Sequence, residues 1–298
     1  MNGSPSRPWP APAKLNLFLH ILGRRPDGYH ELQTCFQFVD LCDEISIEVR
    51  ADGRIRRLAE IAGVAEDADL CVRAARALQT ATGCALGADI RVHKRIPLGG
   101  GLGGGSSDAA TCLVALNHLW QLRQPAEALA ALGLALGADV PVFVRGRAAW
   151  AEGVGERLTP LYAPLAPIEA NYLIVKPNVS VGTAEVFGDP ELTRNSAPIT
   201  IDGFLASGGR NDCVGVVRRR YPEVARALDW LSVYGPARLT GTGACVFLAC
   251  ENPDLRQEIL AKLPPGWEAF SARGLNDSPL LERLAGGWDS AQACFADR

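Results

Sequence analysis

With 298 residues, 48% of them hydrophobic and 21% charged, the chain has the composition of a soluble globular protein, with apolar material for two domains or one large one. A net charge of −3 argues against a protein that coats nucleic acid, and no stretch approaches the roughly 18 apolar residues of a membrane-spanning helix. Nine cysteines are scattered without a C-x-x-C pair or zinc spacing, which reads as reduced thiols serving as small hydrophobes in a cytoplasmic protein.

The first residues, punctuated by Pro5, Pro8, Pro10 and Pro12, carry no apolar run and read as a disordered leader rather than a secretory signal. Residues 11–22 then alternate as a strand, with Ala13, Leu15, Leu17, Leu19 and Ile21 on one face and Lys14, Asn16, Phe18 and His20 on the other. Lys14 and Asn16 point the same way, either toward one site or simply into solvent. The turn Pro26-Asp27-Gly28 presents Tyr29 and His30 at its exit, beside Arg24 and Arg25. Residues 33–49 read as further strand, and residues 69–79 as a helix with Leu70, Val72, Ala74, Ala75 and Leu78 at helical spacing.

The most informative stretch is residues 94–110. A half-buried strand carrying Ile90, Val92 and Ile96 runs into Gly99, Gly100, Gly101, Leu102, Gly103, Gly104 and Gly105, and Ala109, Cys112, Leu113, Leu116 and Trp120 then recur at helical spacing. Ser106 or Ser107 is expected to cap that helix, with Asp108 in its first turn. Strand, glycine loop and helix N-terminus make a phosphate site, because bare backbone approaches closely and the helix end is partly positive. A Walker A loop is excluded, since no lysine separates Gly105 from Ser106. Gly99-x-Gly101-x-x-Gly104 meets the dinucleotide pattern, but residues 120–127 do not form the strand that should end in its acidic partner. The bland alternative is a flexible connection.

Residues 127–136 read as a helix ending at Gly137, and Asp139 follows as either a helix cap or a catalytic carboxylate. Pro160, Pro164 and Pro167 mark an expected domain boundary. Beyond it come a buried strand over 171–177, a loop-rich region over 195–209 and helices over 211–220 and 222–231. A glycine turn at 241–243 leads into a strand, followed by a helix over 253–263 and a last strand over 267–272. Nothing patterned follows Gly286.

Three stretches together resemble the motifs of the GHMP small-molecule kinases: residues 12–17 with 25–31, residues 97–110, and residues 239–245. The resemblance runs from about residue 12 to residue 279 in the family's order. It implies an α+β architecture of two domains and two tails, 1–10 and 285–298. The N-terminal domain, 11–159, would resemble the second domain of ribosomal protein S5, and the C-terminal domain, 160–284, would be ferredoxin-like. It also implies a left-handed crossover, against the general rule.

ATP would lie on Pro97, Leu98, Gly99, Gly100, Gly101, Leu102, Gly103, Gly104, Gly105, Ser106 and Ser107. Mg²⁺ is expected with it, although no carboxylate cage stands in the sequence. The Asp-Gly-Tyr-His element and the Gly-Ala-Asp-Val-Pro-Val-Phe run resemble the branch of non-mevalonate isoprenoid biosynthesis, which phosphorylates the 2-hydroxyl of a small substrate carrying cytidine diphosphate. In that reading Asp139 takes the hydroxyl proton, Lys14 pairs with Asp139 and neutralises the transferring group, and Asn16 orients the hydroxyl. Tyr29, His30 and Phe187 would hold the cytosine. Neither nucleic acid nor membrane would be a partner.

Lys176-Pro177-Asn178 departs from the His-Pro-Gly expected there, and Gly182 stands where related chains often have proline. The rival readings are a family member acting on mevalonate, homoserine or a sugar, a silent nucleotide sensor, and a dinucleotide oxidoreductase. Tyr29-His30 weighs against the first, and retention of both Lys14 and Asp139 against the second.

Overall fold

The first strand begins inside the expected leader: β1 spans Trp9–Arg24 and pairs antiparallel with the long β2, His30–Arg50, from Trp9 opposite Ile45 onward. Pro10 and Pro12 lack N–H groups, yet the strand holds because Trp9 and Ala11 are buried in the core and Thr111 Oγ1 donates to the Pro10 carbonyl. The leader reading is thus corrected for residues 9–12. The computed structural model describes residues 7–60 and 63–286, so residues 1–6 and 287–298 of the expected tails lie outside the described residues.

Next come β3 (Ile55–Arg57), α1 (Leu70–Thr82), β4 (Gly87–His93), α2 (Gly104–Leu119), α3 (Ala126–Leu134), α4 (Val140–Arg145), β5 (Ala149–Glu152) and β6 (Arg157–Pro160). Helix α1 starts where expected, because Asp69 Oδ1 accepts from the N–H groups of Cys71 and Val72, and it closes on Gly83. Strand β4 pairs with β2 and with β3, the latter in parallel across α1. Helix α2 is buried from Ser107 to Leu116, wedged between β1 and β2 on one side and α1 and α4 on the other. It is followed by α3 rather than a strand, which removes the dinucleotide fold.

The remaining elements are β7 (Asn171–Lys176), α5 (Thr183–Gly188), α6 (Ile201–Ser207), α7 (Val214–Arg220), α8 (Pro222–Ser232), β8 (Arg238–Leu239), β9 (Val246–Ala249), α9 (Pro253–Ala261), β10 (Glu268–Leu275) and α10 (Pro279–Leu284). The four strands lie in the order β10-β7-β9-β8 with antiparallel neighbours, so strand–helices–hairpin–helix–strand is the ferredoxin-like arrangement. The stretch read as loop-rich contains α6. Thr200 caps it, and Phe204 packs on Phe18 and Trp150. The two groups of strands meet where Gly274 and Leu275 of β10 pair with Val39 and Phe38 of β2. One apolar cluster joins Leu15 and Phe18 of β1 to Ile174 and Phe247 of the second group, so both faces of β1 are buried.

Candidate active site

Burial on both faces disposes of the solvated reading of Lys14 and Asn16. Lys14 Nζ donates to Asn16 Oδ1 at 2.5 Å and to the Gly101 carbonyl at 3.1 Å, and it stands 3.4 Å from Asp139 Oδ2. An ammonium has three hydrogens, and here three acceptors surround it. The Lys14 side chain is 4% exposed and that of Asp139 33%, so the lysine is fixed while the carboxylate meets the cavity. Asn16 is locked in turn: its N–H donates to Thr240 Oγ1 and its Nδ2 to Thr34 Oγ1. Asp139 precedes α4 but its side chain makes no capping bond, so the cap reading has no support in the geometry.

The glycine loop folds over this pair. Lys14 N–H donates to the Leu102 carbonyl at 2.9 Å, and Leu102, 1% exposed, anchors the loop in the core. Helix α2 starts at Gly104 with Gly103 as its N-cap, not at Ser106 or Ser107, because Gly103 turns the chain at φ +74°. No side chain caps this end, so the N–H groups of its first turn stay available to a ligand. A Cβ on Gly101 would run into the Thr240 and Gly243 carbonyls, so this glycine serves the contact between the loop and residues 240–245. Across that contact, Ala244 and Cys245 donate their N–H groups to the Gly99 and Gly100 carbonyls at 3.0 and 3.1 Å.

Asp108 lies beyond the first turn of α2. Lys94 Nζ bonds Asp43 Oδ2 at 2.5 Å and Asp108 Oδ2 at 2.7 Å, and Asp43 Oδ1 accepts from the N–H groups of Arg95 and Ile96. Burial pushes the Asp108 carboxyl well above its usual range, with Asp43 adding to the shift and Lys94 opposing it. Burial works against the Lys94 charge, but Asp108 and Asp43 outweigh it and raise that group. The triad ties the end of β4 to the start of α2 and so braces the loop between them.

A cavity of about 880 Å³ runs along these groups, near the upper end for small-molecule sites. Its wall includes Lys14, Asn16, Asp139 and residues 97–106, and at the far end Tyr29, His30 and Phe187. Ser107 is the one expected site residue off the wall: its hydroxyl is buried without a partner and its N–H donates to the Gly103 carbonyl. At the far end the His30 and Phe187 rings lie 5.2 Å apart at 34°, while Tyr29 is 64% exposed. Burial, then the charges of Arg194 and Arg24, hold the His30 imidazole below its ordinary value, which favours the neutral ring. Among the described residues, no three His, Cys, Asp or Glu side chains converge as a metal site.

The GHMP kinases N terminal domain matches residues 69–147, and the GHMP kinases C terminal domain matches residues 202–268. The 4-diphosphocytidyl-2-C-methyl-D-erythritol kinase of Halorhodospira halophila is 59% identical over 278 residues, covering 93% of this chain and 96% of that one. Its counterpart in Pseudomonas aeruginosa is 58% identical, covering 92% and 96%. The chain belongs to the 4-diphosphocytidyl-2-C-methyl-D-erythritol kinase family of GHMP kinases. A crystal structure of 4-(cytidine 5'-diphospho)-2C-methyl-D-erythritol kinase superposes with a TM-score of 0.76 at 33% identity, covering 89% of this chain and 98% of that one. A mevalonate kinase, at TM-score 0.69 and 17% identity, shares the fold alone.

Within this kinase family fold, the departure at Lys176 lies off the cavity wall. Its Nζ donates to the Pro177 and Val179 carbonyls and fixes the turn ahead of α5. Sequence reasoning missed Lys94, Thr183 and Thr242 on the wall, and Arg194 behind His30. Thr242 lies inside the glycine turn at 241–243, and its hydroxyl is 3.1 Å from that of Thr183. Arg194, a single arginine in a loop, carried no signal.

Proposed function

We propose that this protein transfers the γ-phosphoryl group of ATP to the 2-hydroxyl of 4-diphosphocytidyl-2-C-methyl-D-erythritol, giving the 2-phosphate and ADP in non-mevalonate isoprenoid biosynthesis. The observation that carries it is the Lys14–Asp139 pair lying in one cavity between an uncapped helix end and an aromatic slot lined by Tyr29, His30 and Phe187. The loop N–H groups at the start of α2 hold the nucleotide phosphates. Asp139 accepts the proton as the hydroxyl oxygen attacks the γ-phosphorus and the bond to the ADP oxygen breaks. Lys14 offsets the negative charge on the equatorial oxygens, and Asn16 keeps Lys14 and the hydroxyl in line.

Magnesium would arrive with ATP as the metal–nucleotide substrate, held mainly by phosphate and water, and Asp139 is the carboxylate side chain on the cavity wall. The same reading divides the chain at 159/160, with residues 11–159 holding ATP and residues 160–284 contributing Phe187. It places the enzyme in the cytoplasm. The eight cysteines among the described residues are all unpaired, and none of the described helices is long and apolar enough to cross a membrane.

The test is ATP-dependent phosphorylation of the cytidine substrate, with the product phosphate position assigned by phosphorus NMR and mevalonate and homoserine run alongside. A phosphate on another hydroxyl, or preferential turnover of either rival, would overturn the assignment.

A further inference from the structure

Behind the base slot lies an interaction that phosphoryl transfer does not require. Arg194 Nε donates to His30 Nε2 at 2.9 Å, although the two residues are 164 positions apart in the chain. The same guanidinium donates through Nη2 to the Phe187 carbonyl at 2.9 Å and the Asp189 carbonyl at 2.7 Å, and through Nη1 to the Leu192 carbonyl at 3.2 Å. One side chain thus ties the His30 ring to the backbone that carries Phe187. A guanidinium is a donor only, so the nitrogen facing it must present a lone pair. That puts the single proton of a neutral imidazole on Nδ1, the ring nitrogen that Arg194 does not engage.

We propose that Arg194 is a positioning residue that fixes the His30 tautomer with Nδ1 as donor, and thereby makes the slot select cytosine over uracil. N3 of cytosine is an acceptor and completes a hydrogen bond with that N–H. N3 of uracil carries a hydrogen, so two donors would face each other in a half-buried slot and both would go unpaired. Phe187 and Tyr29 stack on any base and leave this choice to His30. The inference rests on the proposed function, which places a cytosine here.

Nitrogen-15 NMR of the histidines in the full-length protein tests it without substrate. The His30 signals are assigned by their loss in His30→Gln. In the wild type, Nε2 should show the unprotonated shift and Nδ1 the protonated one. Arg194→Met should mix the two forms, and Arg194→Lys, which restores one donor, should recover part of the pattern. In competition between the cytidine substrate and its uridine analogue, Arg194→Met should lose about tenfold or more of the preference, through KM rather than kcat. The lysine variant should again recover part, and thermal unfolding checks that both variants fold. An unprotonated Nδ1 in the wild type, or an unchanged preference in Arg194→Met, overturns the proposal. If the wild type shows the expected tautomer but fails to phosphorylate the cytidine substrate, the functional reading fails, and the claim of selectivity falls with it.

Discussion

At the glycine end of the cavity the wall is mainly backbone from one contiguous run, residues 97–106, whereas at the aromatic end it is side chains from separate segments: Tyr29 and His30 at the start of β2, and Phe187 in α5. The loop carbonyls are engaged by Lys14, Ala244 and Cys245, and its two ends are braced by Lys94 with the buried Asp43 and Asp108. A site made of backbone can be altered only by disturbing the fold that shapes it. A site made of side chains can be retuned one residue at a time. The Lys14–Asp139 pair lies between, with one partner fixed and one partly free.

The largest expected effect falls on that free partner. Asp139→Asn should lower kcat by about 10²–10⁴-fold, the usual contribution of a general base. The fold and ATP affinity should be kept, because Asp139 caps nothing and an asparagine oxygen can still accept from Lys14, which keeps its bonds to Asn16 and Gly101. Near-normal turnover would end its catalytic assignment and leave Lys14 without a chemical partner.

Lys94→Met probes the bracing of the glycine end. Breaking a buried ion pair from one side costs about 3–5 kcal/mol, and here it would strand both Asp43 and Asp108. Urea denaturation should show the loss, with ATP binding failing alongside. Asp108→Asn should behave oppositely, since it mimics the protonated acid. The Asp108 group lies above its ordinary 3.8 in the folded protein, so the unfolded chain gives up this proton first and wild-type stability falls as pH rises from there through the folded value. The asparagine variant should therefore gain on the wild type between about pH 5 and pH 8. A constant difference across that range would refute the linkage.

How much of this was legible in the sequence follows the same division. The glycine end could be read because its residues are neighbours in the chain, and Lys14 with Asn16 because strand alternation puts them on one face. Two features at that end depart from the sequence pattern. Serine capping is the expected helix start, but a left-handed glycine, Gly103, makes the turn. The glycines read as a phosphate loop or a flexible connection, whereas Gly101 is also needed for the approach of residues 240–243. No local pattern says what a distant loop will press against. The aromatic end was legible only through resemblance, and Arg194 not at all, because a hydrogen bond across 164 residues leaves no periodicity.

Substitutions at the aromatic end should raise KM and spare the fold. Stacking contributes about 1–3 kcal/mol per base, so Phe187→Ala should raise KM for cytidine and uridine substrates alike by about 5- to 150-fold. Tyr29→Ala should fall at the lower end of that range: Tyr29 is 64% exposed, while Phe187 also supports the His30 ring. Steady-state kinetics on both substrates decides this, and unchanged KM in both variants would put the base elsewhere.

The smallest effect belongs to a glycine, and it decides whether the glycine end can be probed without breaking it. Gly103→Val cannot do so, since a Cβ there would meet Phe143 Cζ at 2.8 Å and Lys14 Cε at 3.1 Å at φ +74°, confounding fold, catalysis and phosphate. Gly105 differs. It lies on the cavity wall in the first turn of α2, and a Cβ there would approach only Leu70 Cδ1, at an ordinary 3.4 Å. Alanine is a better helix former than glycine by about 1 kcal/mol, so Gly105→Ala should unfold at the same or a slightly higher temperature. If phosphates rest on the N–H groups around it, the added methyl should weaken ATP binding by roughly 1 kcal/mol, about fivefold, in calorimetry on the folded variant. Equal affinity with unchanged stability would mean that the phosphates do not approach this turn, and the helix end would lose its assigned ligand.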